Sequence, residues 1–183
     1  MLRTICLSIV LLMTIFTSIS CSESNSESSS VKILMDLLTA IDKENIQQVQ
    51  AHIDAGTNID DQFIPELYPG AGAGALHLAV LKNNKAITKM LLKAGADIDI
   101  KAKNKDEAGP LHWAAFFGIT DMVVLLIDSG ADINLVDANQ FTPLDSAVLS
   151  ELSNRNNKEL SDTLNKIIAI LKKKGGITAG ELN

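Results

Sequence analysis

The sequence predicts an all-α solenoid of about four stacked helix pairs joined by hairpin-like fingers, and three observations carry that expectation. First, the chain repeats itself. Ala75-Leu76-His77-Leu78-Ala79 returns as Pro110-Leu111-His112-Trp113-Ala114 and again as Pro143-Leu144-Asp145-Ser146-Ala147, at offsets of 35 and 33 residues, a period typical of repeat arrays. Second, a second block follows in fixed register. Met90 to Asp99 (MLLKAGADID) and Val124 to Asn134 (VLLIDSGADIN) each place a Gly 19 residues after the Leu of the first block. Third, Pro110 and Pro143 sit where the first turn of a helix can lose an N–H without cost. Gly56, Gly95 and Gly130 close apolar stretches, where a left-handed C-terminal residue is wanted. One such helix pair cannot bury its apolar face alone, so stacking supplies the core.

Taken in order, the chain opens with Arg3 and an apolar run from Ile5 to Ile19. That run has the length of a signal-peptide core and falls short of the ~20 residues of a spanning helix. Ser18-Ile19-Ser20-Cys21 then resembles the lipobox of bacterial lipoproteins, with Ser18 where that family prefers Leu, and it also fits a plain small-x-small cleavage site. Residues 1–20 are thus expected to be a signal peptide. Residues 21–30, Cys21 followed by SESNSESSS, form a tether with too few apolar residues to fold. Cys6 leaves with the leader, so lipidation would remove the liability of a lone exported thiol at Cys21. The tether would reach about 15–18 Å.

The two blocks resemble the ankyrin repeat, whose pattern is T-P-L-H-x-A-A-x-x-G, a helix, then L-L-x-x-G-A-D-x-N. A degenerate first copy runs from Leu37-Leu38-Thr39-Ala40 to Thr57-Asn58-Ile59-Asp60, and a last one from Thr142 to Gly176. The expected domain is 31–180, with copies near 31–60, 71–101, 104–135 and 138–180. Ala79, Ala114 and Ala147 let paired helices approach closely. About six extra residues lengthen the first finger (Gln62–Gly74), two lengthen the second, and twelve are inserted near Glu151–Asp162.

Several constellations invite chemistry. His77 and His112 occupy the His slot of the repeat, which the resemblance assigns to tying neighbouring loops, and Asp145 takes that slot in the last copy. His52 lies where an apolar residue is usual and reads as a partly buried substitution. Gly70 to Ala75 scans as G-x-G-x-x-A, but Pro65 and Pro69 precede it where a dinucleotide site needs a buried strand. A flexible shoulder of the long finger is expected instead. Asp97, Asp99 and Asp132 fall in turns where carboxylates bond local backbone. No G-x-S-x-G, C-x-x-C, H-E-x-x-H or Walker loop occurs, and neither catalysis nor a cofactor or metal is expected.

Charge and composition bound the partner. Sixteen basic against 22 acidic residues give a net charge of −6 and no basic footprint for nucleic acid. Loss of residues 1–20 leaves 15 against 22. The resemblance implies a monomeric module, held at a bacterial membrane, periplasmic or surface-facing, through lipid on Cys21. It would scaffold or protect another protein, a basic one given the acidic surface. An exported immunity protein that occludes a toxin, and a purely architectural lipoprotein, are the alternatives. The partner is expected on the concave face and long finger, at Phe63, Ile64, Leu67, Tyr68, Leu81, Phe116, Phe117 and Phe141, with Trp113 in the core. Labelled fatty acid should enter the wild-type protein and not Cys21→Ser, which should be released soluble or left unprocessed; no label in the wild type removes the anchor.

Overall fold

The computed structural model describes residues 35–67 and 70–182. The expected leader, the whole expected tether with Cys21, and Tyr68 lie outside them. Among the described residues, eight α-helices fall into four pairs: α1 (Leu37–Asp42) with α2 (Ile46–Asp54), α3 (Ala75–Leu81) with α4 (Lys85–Lys93), α5 (Pro110–Phe116) with α6 (Thr120–Asp128), and α7 (Pro143–Ser153) with α8 (Lys158–Lys173). The first helices pack in sequence, α1 on α3, α3 on α5, α5 on α7, while α2 meets α4 and α6 meets α8 in a second layer. This is the all-α repeat solenoid that the repetition predicts.

Local chemistry sets the helix ends. Asn45, Asn84 and Asn157 each accept a bond from the backbone N–H three residues on, at 3.1, 3.1 and 3.2 Å, and so cap α2, α4 and α8. Pro110 and Pro143 open α5 and α7. Gly56, Gly95 and Gly130 have φ of 70°, 93° and 96° just past the second helices, where an L side chain would be strained.

The core forms in two halves. One joins Leu37, Ile41, Val49, Leu76, Ile87 and Leu91 from the first two pairs. The other joins Leu111, Met122, Leu126, Leu144, Ile167 and Leu171 from the last two, with Val80 of α3 reaching into it. Ala79, Ala114 and Ala147 are fully buried, as close helix approach requires.

The insertion lengthens both helices of the last pair, α7 to 11 residues against 7 for α5 and α8 to 16 against 9 for α6. The added turns of α8 cover the end of the third pair. A Cβ on Gly118 (φ 73°) would lie 3.0 Å from Leu160 Cδ1.

The glycine-rich stretch departs from the expected flexible shoulder. Ile64 N–H donates to the Ala73 carbonyl at 2.9 Å and Gly72 N–H to the Ile64 carbonyl at 2.8 Å, closing the first finger. Lys103 N–H then donates to the Gly72 carbonyl at 2.8 Å. The second finger's backbone comes so close that a Cβ on Gly72 (φ 79°) would sit 2.4 Å from the Lys103 oxygen. Glycine is required here by contact between backbones, and the stretch is a fixed joint between fingers.

Two variants separate strain from contact. Gly56→Ala, with open space around it, should cost about 1 kcal/mol of left-handed strain. Gly72→Ala should cost clearly more, because backbone must move as well; urea unfolding of both checks the order. Leu91→Ala or Leu126→Ala should cost roughly 2–5 kcal/mol in the same assay.

Candidate functional site

Two sets of polar ties position the fingers. In the first, the ring of His77 sits fully buried beneath Gly74 at the start of α3. Its Nδ1 accepts the Gly74 N–H at 3.2 Å and its Nε2 bonds the Ala108 carbonyl of the next finger at 2.9 Å. His112 repeats this from α5, with the Gly109 N–H at 3.3 Å and the Phe141 carbonyl at 3.0 Å. An acceptor at Nδ1 and a carbonyl at Nε2 fix the neutral Nε2–H tautomer. Asp145 serves α7 likewise at the helix start, with the polarity reversed only toward the segment that follows. Its Oδ2 accepts the Thr142 N–H at 2.9 Å and the Ala179 N–H of the closing segment at 2.8 Å. These are structural roles, as the His slot implies.

His52 performs a related task that its reading as a tolerated substitution missed. It is buried, with Nε2 bonded to the Met35 carbonyl at 2.7 Å and Nδ1 to Thr57 Oγ1 at 3.1 Å. It joins the entry to α1 to the turn after α2.

The second set lies in the turns. Asp97 and Asp132 accept from the backbone N–H two residues on, at 3.0 and 2.9 Å, as expected. Asp99 does not bond locally. Both its oxygens receive the Asp132 N–H of the next repeat, at 3.0 and 3.2 Å, just as Asp60 receives the Asp97 N–H at 3.2 and 3.1 Å. Asn134 continues the series by accepting the Ile177 N–H at 3.0 Å.

Between α5, α7 and the last two fingers these ties leave a groove of about 290 Å³, lined by Trp113, Phe116, Phe117, Phe141 and Leu149, with Asp106, Asp137 and Asn139 at the finger side. Phe117 packs edge-on against Phe116, centroids 5.2 Å apart, and against Trp113 at 6.2 Å; Trp113 in turn meets the His77 ring at 5.1 Å. Phe117 remains 53% exposed, which mutual ring packing on a concave surface permits.

Of the eight residues expected to contact a partner, Phe116, Phe117 and Phe141 converge here. Leu81, the counterpart of Phe116 in the second repeat, is half-buried and stands outside the groove. In the first finger the expectation that Phe63 and Ile64 are surplus to the fold fails. Ile64 closes the finger through its backbone. Phe63 is half-buried, bridged to Gly74, and carries the Lys103 ammonium 3.9 Å above its ring. Leu67 stands 95% exposed at the tip.

Trp113 is the main correction. It is half-buried and lines the groove instead of the core. Its slot holds Leu78 and Ser146 in the sister copies, of which Leu78 packs against the core and Ser146 is buried. Asp106 and Asp137 had no sequence signal, because only the stacking of the fingers brings them to the rings.

A family model described as ankyrin repeats in three copies matches residues 14–137 and 76–164. The chain belongs to the ankyrin-repeat family. It is 38% identical over 91 residues to the human Notch-regulated ankyrin repeat-containing protein, covering 48% of this chain and 74% of that protein. A palmitoyltransferase of Kluyveromyces lactis is 35% identical over 82 residues, 45% of this chain and 11% of the enzyme. An E3 ubiquitin-protein ligase of Arabidopsis thaliana is 33% identical over 96 residues, 52% of this chain and 6% of the ligase. The chain thus spans only a small part of these two enzymes. Ankyrin repeats are protein–protein interaction modules and generally non-catalytic, and the described residues hold repeat elements only.

Burial pushes the His77 imidazole down from 6.5 to about 4, with the neighbouring His112 acting in the same direction and the Ala108 carbonyl against it. The neutral ring therefore contributes its full stability above pH 6.5. That contribution is lost as pH falls toward 4, because the unfolded chain takes the proton first. Its size is roughly 3 kcal/mol. His77→Gln should be less stable than wild type at pH 7 and close most of that gap by pH 4, measured by urea unfolding at each pH.

Proposed function

We propose that this chain is a non-catalytic docking module held at a bacterial envelope by lipid on Cys21, and that it scaffolds or protects a protein seated in the groove between α5, α7 and the last two fingers. The observation that carries this reading is the clustering of apolar surface. Phe116, Phe117, Phe141 and Leu149 are exposed large apolar side chains, all four line one concavity, and Leu152 follows one turn beyond Leu149 on α7. Contiguous apolar surface framed by polar groups marks an interaction site. Interface energy concentrates in buried aromatic anchors, each worth ~1.5–3 kcal/mol by area.

The apolar strip is built where the fold makes least demand. The copies carry Leu81, Phe116 and Leu149 in one slot, half-buried or exposed in each, so repeat stacking accepts any of them there. The leader and the tether supply the envelope part of the reading, and Leu67 on the long finger offers a second, smaller contact. Acidic surroundings favour a basic partner and a salt-dependent on-rate.

Capture from detergent-solubilised membranes tests the groove. The full wild-type chain should retain a partner that Phe117→Glu loses, while the stability of the variant stays within about 1 kcal/mol of wild type. Unfolding of Phe117→Glu, or undiminished capture by it, removes the groove as the docking site. If the captured protein is an enzyme that loses turnover when bound, the module is an inhibitor and not a scaffold.

A further inference from the structure

The groove is not purely apolar, and its polar side is built. Asp137 is only 6% exposed, yet it lines the groove. Its Oδ1 is fully engaged, accepting the Asn139 N–H at 2.8 Å and the Phe141 N–H at 2.9 Å. Its Oδ2 receives no hydrogen bond from the described residues, and no buried side-chain oxygen among them lacks a partner. That oxygen therefore keeps access to solvent, through the groove the residue lines. Asp106 stands beside it. Asn139 joins the two, giving its backbone N–H to Asp137 and its side-chain Nδ2–H to Asp106 Oδ1 at 3.2 Å. One residue thus holds two carboxylates together, each with an oxygen that receives no hydrogen bond among the described residues. No Lys or Arg is among the residues lining the groove.

Resting on the docking reading above, we propose that the groove receives an arginine side chain of the partner, carried close to an aliphatic or aromatic residue that fills the space beside it. A guanidinium has a flat face that stacks on aromatic rings and a fork of five N–H donors. Trp113, Phe117 and Phe141 supply the rings, while the free oxygens of Asp137 and Asp106 supply acceptors for two arms of the fork. A lysine ammonium would meet the charge but not the two-carboxylate geometry, and it gives up more hydration on entering an apolar groove. The neighbouring apolar residue of the partner covers Phe116 and Leu149. An acidic or phosphorylated segment is excluded by the same carboxylates.

Random peptides displayed on phage and selected against the detergent-solubilised full chain test the assignment. Selected sequences should share an Arg with an aliphatic or aromatic residue within a few positions. A synthetic peptide of that sequence should lose about tenfold in affinity on Asp106→Asn and again on Asp137→Asn, weaken as salt rises, and fail to bind Phe117→Glu. Asn at either position keeps an oxygen for the bonds to Asn139, and exposed Asp106 carries the test alone if Asp137→Asn lowers the melting temperature. Selected sequences with Lys in place of Arg, with no basic residue, or with affinity unmoved by the Asp variants overturn the arginine assignment. If such peptides still fail to bind Phe117→Glu, the docking groove itself survives. No selected sequences, or sequences indifferent to Phe117→Glu, overturn the groove along with it.

Discussion

The organisation of this protein depends on a polar side chain in the first turn of each later first helix, buried in two of the three and half-buried in the last, reaching the segment that follows the pair. His77, His112 and Asp145 each satisfy an orphan N–H at the helix start; the histidines then cross to the following repeat and Asp145 to the closing segment. A buried polar group left without a partner is costly, so each tie holds only when the next finger is in one place. The helices supply apolar stacking, which is tolerant of small slides; the ties remove that tolerance.

The groove inherits its shape from one of them. His112 takes the Phe141 carbonyl and Asp137 the Phe141 N–H, so both polar groups of that residue are engaged and its ring is carried to the rings on α5. The turn carboxylates act in parallel, with Asp60, Asp99 and Asn134 handing a bond to the next repeat on the other side of each finger. At the closing end, backbone N–H groups of Ile177 and Ala179 take the place of a fifth repeat. Asp145 suits that position because an acceptor can meet N–H groups where a histidine would need a carbonyl.

Sequence differences between copies divide into two kinds. Slots filled alike, such as Ala79, Ala114 and Ala147, face the neighbouring repeat and are buried. Among the slots filled differently, the third and fourth repeats gather aromatic and aliphatic side chains around Phe117. The same separation explains why the first finger behaves otherwise. Among its extra residues Phe63, Ile64 and Gly72 close the finger and meet the second one, while Leu67 faces outward.

The sequence by itself determined the helix pairs, their ends and the histidine slots, because these follow from local rules: apolar periodicity, Pro and Asn at helix starts, Gly at helix ends, and a motif repeated in register. It also singled out Phe116 and Phe117 at a helix end and Phe141 in a finger, which the fold then brings to one groove. Only the tertiary structure decided that Trp113 belongs with them, that Gly72 is a joint and not a hinge, that Asp99 bonds the next repeat, and that His52 secures the entry to α1. Each of these depends on a backbone or side chain from another finger or helix, about 17 to 40 residues away in the chain. The carboxylates of Asp106 and Asp137 meet the rings for the same reason: the stack sets neighbouring fingers side by side, and no spacing within one repeat encodes that distance.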